Sequence, residues 1–180
     1  MPARKKDENF VEAYYNYSVF RTPYGWMGIV KTLLGLHAVV LPQKNFEKAM
    51  KVMKKRFGAQ NLNRNEETFK ELNKKMLKYF YSDRVDFNEL LDLTGLSDFD
   101  RSVMQVVRTI PYGEVRSYRW VAETLGKPKA AQAVGQALSR NRLPIVIPCH
   151  RVVEKGGFLG GFSAGPEMKR NLLKIEGRIW

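Results

Sequence analysis

The stretch Ser117-Tyr118-Arg119-Trp120-Val121-Ala122-Glu123-Thr124-Leu125-Gly126-Lys127-Pro128-Lys129-Ala130-Ala131-Gln132-Ala133-Val134-Gly135-Gln136-Ala137-Leu138 reads as two helices with a short turn between them. The first runs from Ser117 to Leu125 and stops at Gly126, a residue that takes the positive φ at a helix C-terminus without a Cβ clash. Pro128, whose fixed φ and missing N–H suit a first helical turn, opens the second, which continues to about Arg140. Two helices joined by a three-residue turn containing glycine outline a helix-turn-helix. The second helix is rich in Ala130, Ala131, Ala133, Gly135 and Ala137, so its backbone can approach another surface closely. That surface is either a neighbouring helix or a nucleic-acid groove.

Outward from this pair, Ser97-Asp98-Phe99-Asp100 resembles a capping box at the start of a helix carrying Phe99, Val103, Val106 and Val107, which Pro111-Tyr112-Gly113 ends. Residues 85–95 form a plausible junction. Before it, Phe10 to Phe20 is aromatic and β-prone, and Thr22-Pro23-Tyr24-Gly25 is turn chemistry. Trp26 to Lys31 and Leu36 to Leu41 then read as strands of a small antiparallel sheet. Asn45 caps a helix with Phe46, Ala49, Met50, Met53 and Phe57 at helical spacing and Gly58 as its stop. A second helix from about Asn65 places Phe69, Leu72, Met76 and Phe80 on one face. The first ninety or so residues thus read as a packed scaffold without visible chemistry.

The chain has 180 residues and a formal charge of +13, which favours a polyanionic partner. Residues 1–92 hold 17 basic and 11 acidic side chains and residues 93–180 hold 14 and 7, so the surplus is spread along the chain. No apolar run approaches the ~20 residues of a membrane span. The start, Met1-Pro2-Ala3-Arg4-Lys5-Lys6-Asp7-Glu8, is charged and lacks the apolar segment of a signal peptide. A cytoplasmic protein is expected, or a nuclear one if the source is a eukaryote. One cysteine excludes an internal disulfide, and with only His37 and His150 there is no usual zinc set.

The chemistry concentrates in Leu143-Pro144-Ile145-Val146-Ile147-Pro148-Cys149-His150-Arg151-Val152-Val153. An apolar, β-like run ends at Pro148, which cannot donate to a ladder, so Cys149 falls at a strand end or turn where a reactive group can meet solvent. An inert core thiol is the alternative. The basic neighbours His150 and Arg151 are expected to favour the thiolate. In a regular strand Cys149 and His150 would face opposite ways, so any proton transfer between them needs a bridging water. Glu176 is an available carboxylate to orient the imidazole.

Pro148-Cys149-His150-Arg151-Val152, preceded by Asn141 and the Pro144 to Ile147 run, resembles the active-site signature of the O6-alkylguanine-DNA alkyltransferases, also called methylated-DNA–protein-cysteine methyltransferases. The similarity extends through Ile110-Pro111-Tyr112-Gly113-Glu114-Val115-Arg116-Ser117-Tyr118 and the small-residue helix, and closes with Lys169, Leu172-Leu173 and Glu176-Gly177. It covers residues 91–177.

The resemblance implies an α+β protein of two domains. Residues 1–92 would form a ribonuclease H-like scaffold, and residues 93–180 a winged-helix domain that binds DNA and holds the alkyl acceptor. It implies a stoichiometric transferase, a monomer, that moves a methyl or larger alkyl group once and irreversibly from guanine O6 in double-stranded DNA to Cys149. It implies no membrane association, no metal and no organic cofactor, the family's zinc ligands being absent here. By similarity His150 is the base acting through water, Glu176 orients it, and Asn141 holds the active-site turn. Tyr118 would protonate the departing guanine. Ser163 and the backbone of Cys149 and Val152 would bind the base edges, and Arg151 and Phe162 are further expected substrate or DNA contacts. Ala130, Ala131, Ala133 and Gly135 would line the helix against DNA. Gln132 stands where the family commonly has an arginine that fills the gap left by a flipped base, and Phe162 where relatives often have tyrosine.

Two other classes remain at this point. A non-catalytic reader of alkylated DNA would use the same helix but has no need of the cysteine. A cysteine hydrolase would turn over many times and gives the helix-turn-helix and the basic charge no role.

Overall fold

In the computed structural model residues 15–178 are described, so the basic start and the expected β-prone residues before Tyr15 lie outside them. Three antiparallel strands follow in turn: β1 (Tyr15–Thr22), β2 (Gly25–Thr32) and β3 (Gly35–Gln43). A short β4 (Leu62–Arg64) pairs parallel to β1, giving the sheet order β3-β2-β1-β4 with β3 at one edge. Helix α1 (Phe46–Phe57) begins where the Asn45 side chain accepts the Lys48 N–H, and α2 (Glu66–Phe80) where Asn65 accepts that of Thr68, each satisfying an otherwise orphaned helix donor.

The two faces of the sheet bury different partners. Val30 and Val40 pack with Ala49, Met53 and Phe57 of α1. Met27, Ile29, Val39 and Leu41 face the other way, against Phe69, Leu72, Met76 and Tyr79 of α2. Alternation along a strand produces this division. A register shift in the β2–β3 ladder beyond Val30–Ala38 lets Leu36 and Val39 share the second face.

That second core continues without a break into α3 (Asp98–Arg108), whose Val103, Met104 and Val107 are buried in it. Ser97 accepts the Asp100 N–H and caps α3 as its sequence implies. Residues 81–97 carry no helix and only an isolated bridge, Leu36 to Leu91, along the start of β3. There Asp92 accepts from Thr32 Oγ1 at 2.7 Å and lies 2.9 Å from His37 Nδ1.

A two-residue strand β5 (Arg116–Ser117) pairs parallel with β6 (Val152–Val153), and between them lie α4 (Tyr118–Thr124) and α5 (Ala131–Ser139). The second helix starts later than Pro128 suggests. Residues 125–130 form the connection, with the Ala130 N–H bonded to Lys127 O, so Pro128 sits in a turn and Ala130 at the cap. Proline fits a turn as well as a first helical position, and its fixed φ does not choose between them. The last helix, α6 (Pro166–Ile175), buries Lys169, Leu172, Leu173 and Ile175. No helix among the described residues is long and apolar enough to cross a membrane.

Candidate active site

The run from Leu143 to Ile147 is not a strand. It is a buried turn, with the Ile147 N–H bonded to Leu143 O at 2.8 Å and Ile145 at φ 76°. Positive φ is costly for a β-branched residue, and it persists here because Ile145, Leu143 and Ile147 are each about 1% exposed. Asn141 closes the turn: its Oδ1 accepts the Leu143 N–H at 2.9 Å, and its Nδ2 donates to Ile147 O at 3.0 Å and to the Cys149 sulfur at 3.1 Å. The neighbouring Arg142 carbonyl accepts the Val39 N–H, so β3 holds the turn from below.

Cys149, His150 and Arg151 form one turn of 3-10 helix. Consecutive residues of such a turn project in three directions, not the two of a strand. Cys149 faces a cavity of about 720 Å³, and His150 and Arg151 turn away into the protein. Cys149 is 6% exposed, and burial pushes its thiol pKa up from the ordinary value despite the Asn141 hydrogen bond and the nearby Lys169 charge. This corrects the expected thiolate: the resting group is a thiol, and its proton must be removed.

Behind the turn, His150 Nε2 is 2.7 Å from Glu176 Oε1, and both side chains are fully buried. Glu176 caps the end of α6 and gathers four further contacts. Oε1 accepts from Tyr79 Oη at 2.8 Å and Arg151 Nη2 at 3.0 Å, and is also close to the imidazole. Oε2 accepts from Arg151 Nε at 2.8 Å and the Gly113 N–H at 3.0 Å. Burial pushes this carboxyl up, but the His150 and Arg151 hydrogen bonds and charges outweigh it and hold the pKa at about 2. Burial dominates at His150 and lowers its pKa against the pull of Glu176. The pair is therefore a neutral imidazole beside a carboxylate, with Nε2–H donating. Nδ1 is buried and has no hydrogen-bond partner among the described residues, so its lone pair is available.

Arg151 is the clearest correction among the expected contacts. It is 8% exposed and its guanidinium is spent on Glu176 and the Ile110 carbonyl, so it does not line the cavity that Cys149 faces. Val152 is fully buried, with its N–H bonded to Cys149 O and its carbonyl accepting from Lys169 Nζ at 2.7 Å. Its backbone can reach a base only through the carbonyl's second lone pair. Ala130 packs against the core and Ala133 is half-buried, and neither lines the cavity. Ala131, Gln132 and Gly135 do line it, on the α5 wall, and Tyr118, Phe162 and Ser163 line it elsewhere. Burial raises the Tyr118 pKa, aided by the Glu154 and Cys149 charges, so the phenol stays protonated.

Several residues were given no role in the site by sequence reasoning. Tyr79 lies on an apolar helix face and reads as core; its partner Glu176 is 97 positions away. Gln136 lies on the cavity wall of α5, where the eye follows the alanines. Lys169 is fully buried beside the Tyr118 ring with Nζ also 3.4 Å from Gly161 O, and burial lowers its pKa to about 8. Glu154, an exposed side chain, also lines the cavity.

Comparison with known proteins gives a consistent result. The family described as 6-O-methylguanine DNA methyltransferase, DNA binding domain, matches residues 98–178. The methylated-DNA–protein-cysteine methyltransferase of Methanosarcina acetivorans is 37% identical over 161 residues, spanning 89% of this chain and 97% of that protein. Among solved structures, Mycobacterium tuberculosis OGT in complex with DNA superimposes with a TM-score of 0.75 at 31% identity, covering 89% of this chain and 92% of that one. The O6-methylguanine-DNA methyltransferase of Pyrococcus kodakaraensis gives a TM-score of 0.66 at 27% identity, over 91% and 99% of the two chains.

Proposed function

The chain belongs to the methylated-DNA–protein-cysteine methyltransferase family, and on that premise we propose that Cys149 accepts the alkyl group when the protein repairs O6-alkylguanine in double-stranded DNA. Damage is reversed directly: the alkyl carbon passes to sulfur, and the thioether has no activated bond to hydrolyse, so each molecule acts once. The observation that carries the residue assignment is the division at one turn of helix, with the sulfur at the cavity wall and the free Nδ1 of His150 buried behind it.

The steps follow from the groups present. A water between Cys149 and His150 carries the thiol proton to Nδ1, and the Glu176 carboxylate stabilises the imidazolium that forms. The thiolate attacks the alkyl carbon; the S–C bond forms as the C–O6 bond breaks, and the electron pair of that bond stays on the guanine. Tyr118 gives its phenolic proton to the guanine ring, which leaves neutral. Solvent then returns a proton to the phenolate as His150 releases one. Asn141 holds the sulfur in line, and Ser163 and the Cys149 backbone engage the base edge. The base must leave the duplex to enter the cavity, at a cost of a few kcal/mol that is smaller for a mispaired alkylguanine. Gln132, exposed on α5 at the cavity, fills the vacated stack without the charge an arginine would bring, and the small residues of α5 pack against DNA.

We further read residues 1–92 as a ribonuclease H-like scaffold and residues 93–180 as a winged-helix unit. The protein acts as a monomer in the cytoplasm, or in the nucleus of a eukaryote. The test is mass spectrometry after incubation with a methylated duplex. One added methylene on the Cys149 peptide, at one equivalent per protein, is the expected result. An unmodified Cys149 peptide, or transfer that survives Cys149→Ala, overturns the assignment.

A further inference from the structure

We propose that Glu154 sorts alkyl adducts by charge, admitting neutral or cationic groups to the cavity and opposing anionic ones such as carboxymethyl. This rests on the alkyl-transfer reading and adds the substrate class. Among the described residues that line the cavity, Glu154 is the only one with a charged side chain, in a protein whose formal charge is +13. Two nearby cations do not line it. Lys169 Nζ is fully buried against the Val152 and Gly161 carbonyls, and Arg151 is bound to Glu176 behind the reactive turn.

The backbone fixes where this carboxylate stands. The Glu154 N–H donates to Phe158 O at 2.8 Å, and the Gly157 N–H donates to Glu154 O at 3.1 Å, so Glu154 begins a tight turn just after β6. A Cβ placed on Gly160 would lie 3.1 Å from both Glu154 Cγ and Tyr118 Oη, so the two side chains flank a single point on the wall. Tyr118 and Cys149 line the same cavity as Glu154. A negative group carried on guanine O6 therefore meets a second negative charge on the wall of the same cavity; Glu154 is exposed, so the repulsion is partly screened by water and salt. Neutral alkyl groups do not feel it, and a cationic one is attracted.

The experiment measures single-turnover transfer from duplexes carrying O6-methylguanine or O6-carboxymethylguanine. For the protein and for Glu154→Gln, the ratio of the carboxymethyl to the methyl rate constant is the readout. The ratio is expected to rise about fivefold in Glu154→Gln and further in Glu154→Lys, with the difference between proteins shrinking as salt is added. Transfer from both duplexes with the same ratio in all three proteins overturns the inference alone. Failure of the unaltered protein to label Cys149 from either duplex overturns the transfer reading, and this inference with it.

Discussion

The front and back of one 3-10 turn, Cys149 to Arg151, are built on opposite principles. At the front, the Cys149 sulfur has, among the described residues, a single side-chain hydrogen bond, from Asn141, and opens on a cavity. At the back, Glu176 collects His150, Arg151, Tyr79 and a backbone N–H, leaving little of its capacity unused. The front keeps a group under-committed so that it can react. The back over-commits so that the imidazole has one position and one tautomer. Three consecutive residues do both tasks because a 3-10 turn aims them in different directions.

The largest effect expected from breaking the front is loss of all transfer in Cys149→Ala, read by label on the protein, with only a small change in thermal stability. Breaking the back reverses that balance. Glu176→Gln leaves Arg151 buried without its counter-charge, and denaturant unfolding should show a loss of about 3–5 kcal/mol as well as slowed transfer. Tyr79→Phe removes one donor to Glu176 and should cost about 1–2 kcal/mol, with a smaller fall in rate. It sharpens the contrast, since a residue of the first half alters chemistry in the second.

Acid separates the two sides more gently. Because the His150 pKa lies below 6.5, the base stays neutral further into acid than an ordinary histidine, and a pH–rate profile should hold its acid limb below that value. The stability that Glu176 contributes, its folded pKa being depressed from 4.5 to about 2, is complete above about pH 4.5. It is lost as the pH falls toward 2, which acid unfolding of Glu176→Gln against the unaltered protein would show as a gap that closes over that window.

Much of this was legible in the chain. Asn45, Asn65 and Ser97 cap helices where capping chemistry places them, and glycine stops lie at Gly58 and Gly126 with positive φ. The pairing of His150 with Glu176 was implied by the family resemblance, and the two side chains lie 2.7 Å apart. Apolar content, however, reports burial and not backbone angle: Leu143 to Ile147 is buried as read, yet Ile145 turns left-handed and no strand forms. Nor does adjacency report direction. Arg151 beside Cys149 looks like a charge for the thiol, and the fold hands it to a carboxylate 25 positions away. Tyr79 was hidden because a tyrosine ring satisfies an apolar helix face whatever its hydroxyl does.

The hydrogen bond from Val39 to the Arg142 carbonyl carries a last consequence. β3 is the outer ribbon of its sheet, and the residues around Arg142, with Leu90 and Asp92 opposite Leu36, occupy backbone groups that would otherwise invite a foreign strand. The segment that presents the sulfur thus doubles as a guard rail. Substitutions that pry it loose should expose a sticky margin, and such proteins should precipitate on refolding before their failed chemistry is ever measured.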